Sequence, residues 1–361
     1  MKNLVSEITI GDFRFNFVTN LTIESSWNTF TDTATIVIPN KFRKDNKTII
    51  VGIDNVFKRQ DPVEIKIGYF PNLVTKFKGF LTNIRPDSPL ALECEDTMWL
   101  LKQVNLVSKQ FINTTIKEVV EYTVASLFAA AAQKRALVAL GRLPRSELPT
   151  VVVEFDDPDA KIGSFEIDNK GFVNAVTVFE VLKKQFGYNI YFQDGILQVR
   201  ILNSILSLDR PAHKMNFQFN IIEDDLTFQR DDDVGRVVRF ESKQVDNTVI
   251  TLFGFKEKGE VVITKTPKTG GIVNSWKVPE LSETLIRELI TKNIDKYIWT
   301  GFQGSITTFL EPSVNHSDRI DLTDNKHIEK NGRYLIKSII TTFGINGGRQ
   351  TIELRNKIGD A

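Results

Sequence analysis

The chain has 361 residues, 41% hydrophobic and 25% charged, a balance that supplies ordinary buried cores and excludes a wholly disordered protein. Its length exceeds one core and points to about two or three domains. Lys and Arg total 46 against 45 Asp and Glu, and a net charge of +1 excludes a global field for gripping nucleic acid or an anionic membrane.

The opening residues, Met1 to Glu7, pass straight into β pattern without the apolar core of a secretion signal, which implies synthesis and residence in the cytoplasm. The longest apolar stretch, 124–132, falls short of the ~20 residues a membrane helix needs. It ends in Gln133-Lys134-Arg135, so no membrane span is expected. Cys94 is the only cysteine, which rules out an internal disulfide and suits a core filler. Without a secretion signal, the triplets Asn20-Leu21-Thr22 and Asn113-Thr114-Thr115 have no meaning as glycosylation sites.

Strict apolar and polar alternation dominates the first hundred positions. Successive side chains of a strand point to opposite faces, so this period marks strands with one buried face. Phe13, Phe15 and Phe17 alternate with Arg14 and Asn16, and Ala34, Ile36 and Ile38 with Thr33 and Thr35. Val63, Ile65, Ile67 and Tyr69 alternate with Glu64, Lys66 and Gly68, and Leu90, Leu92 and Cys94 continue the pattern. Pro39-Asn40, Pro71-Asn72 and Pro86-Asp87 punctuate the runs as turns of a meander. Residues 1–97 are expected to form a small β-barrel or closed sandwich.

The period then changes. Thr115-x-x-Glu118 reads as a capping box, and Val120, Val124, Leu127 and Phe128 lie on one helical face behind it. The alanines at 129–132 favour continuing that helix, which Gly141 and Pro144 should stop. A second helix is predicted from about Phe172, with Val176, Phe179, Leu182 and Phe186 on one stripe, Lys183 and Lys184 on the other side, and Gly187 at its end. Asp194-Gly195, between short runs at 188–192 and 196–201, is a hairpin signal. These features make 98–210 an α+β insert.

Alternation returns from Met215 through Phe217, Phe219 and Ile221, opening a second β domain over 211–361. Further strands are predicted at 236–244, 249–255, 306–310, 320–322, 334–343 and 351–355. One helix interrupts them at about 282–299, capped by Ser282 and carrying Leu285, Ile286, Leu289, Ile290 and Ile294. The run 77–84 followed by 90–95 parallels 334–342 followed by 350–355, which suggests two copies of one barrel. The predicted fold class is mainly β with an α+β insert, two similar small β-barrel domains flanking a helix-containing domain.

No constellation for catalysis, cofactor or metal emerges. Glu223-Asp224-Asp225 and Asp231-Asp232-Asp233 lack the glycine and distal glutamate of a calcium loop and read as solvated turns, as do Asp156, Asp157 and Asp159. His213, His316 and His327 stand at no metal-ligand spacing and are expected at the surface. Nucleophile elbows, P-loops and dinucleotide fingerprints are absent, and Gly270-Gly271 and Gly347-Gly348 are hairpin material. Trp27, Trp99, Trp276 and Trp299 are read as core or interface anchors rather than sugar platforms. The chain is expected not to be an enzyme.

The order barrel, helix-bearing insert, barrel, with Glu311-Pro312-Ser313, Arg319-Ile320-Asp321-Leu322 and the run Gly332-Arg333-Tyr334-Leu335-Ile336-Lys337-Ser338-Ile339, resembles the baseplate hub proteins of phage tails and contractile injection machines, also called the late control protein D family. By architecture the likeness spans the chain; its motifs lie from Glu311 onward. The resemblance implies a homotrimer whose two barrels per chain build a pseudo-hexameric ring, joining a six-fold tail tube to a three-fold spike. It implies as partners the tail tube protein, the spike or puncturing protein, other baseplate proteins contacted by the insert, and a tape-measure protein. It implies no cofactor and no sequence-specific nucleic-acid binding. The chain would be made in the bacterial cytoplasm and built into a virion tail or injection-machine baseplate. The alternative reading is a tail-tip adhesin that binds carbohydrate.

Overall fold

Alternation does become strands, and the ladder they build runs through both β regions. The computed structural model describes all residues except 1–2, 45–46, 51–55, 87, 130, 144–147, 169–170, 231–235, 245, 268–270, 280 and 361. The first region contains β1 (Leu4–Ile10), β2 (Phe13–Phe15), β3 (Asn20–Ser26), β4 (Thr33–Ile38), β5 (Lys41–Lys44), β6 (Lys47–Ile50), β7 (Pro62–Tyr69), β8 (Asn72–Arg85) and β9 (Leu90–Glu95). Ile8, Ile10, Ile36, Ile65, Leu92 and Cys94 point into one core. Each buried aliphatic chain is worth roughly 1.5–3 kcal/mol, which fixes the register of the strands that carry them against a one-residue slip.

The insert follows with α1 (Met98–Lys102), β10 (Lys109–Thr115), α2 (Ile116–Ala125), α3 (Ala131–Ala139), β11 (Val152–Phe155), β12 (Lys161–Ile167), α4 (Ala175–Phe186), β13 (Asn189–Gln193), β14 (Ile196–Arg200) and α5 (Leu202–Ser207). The capping box forms as read: the Thr115 hydroxyl accepts from the Glu118 amide at 3.3 Å, and the Glu118 carboxylate accepts from the Thr115 amide at 3.1 Å. The helix does not run on through the alanines. Short-range bonds from the Leu127 amide to Val124 and from the Phe128 amide to Ala125 tighten the chain after Ala125 and turn Leu127 into the core. Alanines supply propensity but no anchor, so packing of Leu127 wins. Gly141 follows α3 at φ +67°, while Pro144 lies outside the described residues. Asn174 caps α4 by accepting from the Thr177 amide, and Gly187 ends it at φ +78°. Asp194 and Gly195, both at positive φ, close the β13–β14 hairpin.

The last part contains β15 (Ala212–Asn216), β16 (Ile221–Gln229), β17 (Val237–Lys243), β18 (Val249–Glu257), β19 (Glu260–Thr264), β20 (Ile272–Pro279), α6 (Glu283–Asn293), β21 (Gly301–Thr308), β22 (Arg319–Thr323), β23 (Gly332–Gly344) and β24 (Gly347–Gly359). The alternating run from Met215 to Ile221 is not one strand. Asn216 accepts from the Gln218 amide at 2.7 Å through its side chain, and the amides of Phe219 and Asn220 bond back to its carbonyl, so the chain turns here and leaves Phe219 exposed. Sequence reading also missed β19 and β20, the latter parallel to β17.

The main sheet has thirteen strands in the order β16-β21-β24-β23-β3-β4-β9-β8-β7-β1-β2, with β22 beside β23 and β15 beside β22. Among the described residues no pairing links β2 back to β16. Register shifts in β8 and β23 let the sheet bend. The fold is mainly β, with helices concentrated in the insert. A separate four-stranded sheet, β19-β18-β17-β20, together with α6 shares a single apolar core with the insert: Phe240, Leu252, Trp276, Ile286 and Ile290 pack in one cluster with Val120, Phe179 and Leu182. Among the described residues no helix is long and apolar enough to cross a membrane.

Candidate functional site

The two ends of the chain meet at one seam. β3 pairs antiparallel with β23 in a register running from Ser26 opposite Ser338 to Asn20 opposite Gly344. Trp27, just past β3, is 1% exposed and donates its indole N–H to the Ile336 carbonyl at 2.9 Å, and the Ser26 hydroxyl donates to the Lys337 carbonyl at 3.1 Å. Tyr191, Leu202, Ile205 and Leu335 close around the indole, so residues from both β regions and the insert share this anchor.

The face of the main sheet turned away from its cores is predominantly polar, though Ile340 on β23 is exposed there. Register places Asp225 opposite Ser305, Ser305 opposite Glu353, Thr351 opposite Ile340, Ile340 opposite Glu24, Thr22 opposite Thr35, and Thr35 opposite Glu93. On the far side it continues through Glu64, opposite both Lys78 and Thr9. Ion pairs partly neutralise its acids: Lys337 with Glu353 at 2.6 Å, Arg85 with Glu93 at 2.9 Å, and Lys66 and Lys78 each 3.3 Å from Glu64. Such a surface is hydrophilic and of mixed sign.

Glu223, Asp224 and Asp225, expected in a turn, lie on the edge strand β16, where extended pairing with β21 overrides the preference of aspartate for turns. Asp224 accepts from Lys330 at 3.0 Å. Asp231, Asp232 and Asp233 lie outside the described residues. Asp156 accepts from the Ile201 amide at 3.0 Å, and Asp157 stands 3.5 Å from Lys292. All four tryptophans are at least nine-tenths buried, so none offers an exposed ring to a sugar. Burial also pushes the Cys94 thiol far up, which leaves it inert. Among the described residues no group of three or more His, Cys, Asp or Glu could hold a metal ion.

The histidines divide. His327 is exposed beside Glu329, and His213 is 3.1 Å from Asp318. His316 is not at the surface: it is 4% exposed, its ring edge-on to Tyr191 and its Nε2 3.8 Å from an Asp32 carboxylate oxygen. Asp32 and Asp96 are themselves interlocked, the Asp32 amide donating to the Asp96 carboxylate at 3.1 Å and the Asp96 amide to the Asp32 carbonyl at 3.0 Å. The Asp32 carboxylate accepts from the Ser26 amide, and the Asp96 carboxylate takes a second amide, from Met98. Burial, with mutual repulsion added, holds the Asp32 carboxyl well above the usual range. Burial pushes Asp96 up to about 7 and His316 down to about 4. Lys76 stands in the same wall and donates to the Val314 carbonyl at 2.8 Å, its ammonium pushed down to about 8 by burial. The group borders a cleft of about 780 Å³ with Phe77, Phe80 and Phe192 in its walls. It can hold a proton near neutrality in a place where β3–β4, β9, the insert hairpin and the loop before β22 touch. Each aspartate is a locally legible turn or cap residue, but nothing local signals that the two meet.

No family model matches the sequence, and no curated protein matches it. Solved structures do. The chain is similar to a tail protein from Neisseria meningitidis, with a TM-score of 0.63 and 14% identity over 98% of this chain and 96% of that one. It is similar to the 43 kDa tail protein of prophage MuSo2 from Shewanella oneidensis, with a TM-score of 0.58 and 13% identity over 98% of both chains. A third, an Escherichia coli protein described as a component of the type VI secretion system, aligns with a TM-score of 0.57 and 8% identity over 98% of this chain and 78% of that one. The chain thus carries the fold of phage tail proteins and of a type VI secretion component. The resemblance to the hub family, read from motifs near the C-terminus, is met at the level of fold along the whole length.

Proposed function

We propose that this chain is a structural hub of a phage tail or contractile injection baseplate, a homotrimer whose two β regions form a pseudo-hexameric ring between the six-fold tail tube and a three-fold spike. The β3–β23 seam carries this reading. An adapter that presents two near-equivalent ring positions per chain must hold them at a fixed angle, and a hydrogen-bonded seam anchored by Trp27 does so far better than a linker. The likeness in fold to tail proteins supports the same reading.

In this reading the predominantly polar face lines the lumen, where threonine, serine and paired charges give cargo such as a tape-measure protein little apolar surface to adhere to. The edge strand β16 pairs only with β21 among the described residues and exposes Ile222 and Phe228, which offers the next copy both ladder groups and apolar contact. The insert faces other baseplate proteins. The role is non-catalytic, and the parent structure is a virion tail or injection baseplate.

Light scattering on the purified chain, alone and mixed with tube and spike proteins, tests the proposal. A trimer, or a trimer formed on mixing, is expected. A chain that stays monomeric and joins neither protein would sink it, and lysis of peptidoglycan in a zymogram would refute the non-catalytic part.

A further inference from the structure

Where β16, β21, β23 and β24 run against the segment that follows α6, a cavity of about 350 Å³ opens. Among the described residues its lining carries four cations, Arg236, Lys296, Lys337 and Arg355, and no carboxylate. Trp27, Tyr297 and Trp299 supply aromatic wall. Of the four, Lys337 is matched by Glu353 at 2.6 Å. Lys296 has no carboxylate within salt-bridge distance among the described residues, and its ammonium lies 5.8 Å from the Tyr297 ring centre. The Arg355 guanidinium sits over Trp299 at 5.5 Å and donates through Nη2 to the Lys296 carbonyl, while its buried Nε has no partner among the described residues. Behind the wall, Lys183 of α4 adds a fifth positive charge by donating to the carbonyl of Asn28, another lining residue.

These charges repel one another. Burial pushes the Lys296 ammonium down to about 8, with Lys183 and Arg355 adding to it, and burial together with Lys337 lowers Lys183. Concentrated positive charge in a partly enclosed space is costly unless a counter-charge enters.

We propose that this cavity binds a phosphate group. Among the described residues, four cations against one neighbouring carboxylate leave three unbalanced, which suits a multiply charged oxyanion better than a single carboxylate. The arginine fork and two lysines can address three oxygens at once. The inference stands apart from the hub reading, since it needs neither a trimer nor a lumen.

The probe is inorganic pyrophosphate, titrated into the full chain while tryptophan fluorescence and Tm are followed. A saturable fluorescence change and a rise in Tm are expected. Lys296→Gln and Arg355→Gln should each weaken binding at least about tenfold. Lys277→Gln, at an exposed position elsewhere, should leave binding unchanged. Should Arg355→Gln lower the Tm of the free chain, Lys337→Gln takes its place. A thymidine oligonucleotide run in parallel identifies the source: competition at lower phosphate concentration assigns the site to a nucleotide chain, and failure to compete assigns it to a free phosphate. No response to either probe at millimolar concentration overturns the proposal, as does binding undiminished in the variants. Binding seen only after Asp231, Asp232 and Asp233 are all changed to Asn overturns it too.

Discussion

The indole N–H of Trp27 and the carbonyl of Ile336, 309 positions apart in sequence, meet at 2.9 Å in the buried seam between β3 and β23. The same carbonyl also accepts from the Ser317 amide at 3.0 Å, so a substitution at Trp27 would not leave it orphaned. Trp27→Phe should therefore cost about 1–3 kcal/mol through a lost bond and a smaller ring, and Trp27→Ala about 3–5 kcal/mol through the cavity left behind. Urea denaturation followed by circular dichroism measures both. Equal stability of wild type and Trp27→Ala would mean that the indole does not hold the seam.

A second test separates backbone strain from crowding. Gly187 ends α4 at φ +78°, and a Cβ there would fall 2.0 Å from Oδ1 of Asn293 on α6. Gly195 has φ +81° with open space around it. Gly195→Ala should cost about 1 kcal/mol for the left-handed backbone alone, and Gly187→Ala clearly more, because Asn293 must give way and surrender its bond to the Phe186 carbonyl. Thermal denaturation of the two variants checks the order.

The acid pair predicts a pH dependence. Burial raises Asp96 to about 7. Between about pH 4 and 7 the folded chain therefore keeps a proton that the unfolded chain has released, and stability falls as pH rises across that window. His316, held neutral by burial, acts in the opposite sense as pH falls. It is present in both wild type and Asp96→Asn, so its contribution cancels and the difference reports the Asp96 carboxyl together with its repulsion of Asp32. Relative to the variant, wild type should lose on the order of 1–3 kcal/mol from pH 4 to 7. Denaturation midpoints at several pH values provide the measurement, and a difference that grows with pH would contradict the assignment.

If β16 receives the next copy, a charge on its exposed apolar rim should weaken assembly without unfolding the chain. Ile222 is 44% exposed, so Ile222→Lys should shift stability by no more than about 0.5 kcal/mol. It should also raise the concentration at which trimers dissociate in sedimentation velocity. An unchanged trimer would remove β16 from the interface.

Much of the local structure was readable from residues close in sequence. The Thr115 and Glu118 capping box, the helix that Gly187 ends and the Asp194-Gly195 hairpin each depend on bonds or backbone conformations of their own neighbourhood, so spacing alone carries the signal. Where two local cues competed, reading failed. Alternation at 215–221 looked like a strand, but the side chain and carbonyl of Asn216 capture nearby amides and turn the chain.

By itself the sequence determined which residues alternate, where helices are capped, and therefore a mainly β chain with a helical insert. Only the tertiary structure decided that β3 and β23 share a ladder, that α6 and the β17 to β20 sheet pack in the insert's core, that His316 sits against Asp32, and that Arg355 and Lys296 converge beside Trp299. The reason is physical. Periodicity says which face of a strand is apolar but not which other strand will cover it, and burial turns an ordinary aspartate, lysine or histidine into a perturbed one only after distant segments have closed over it.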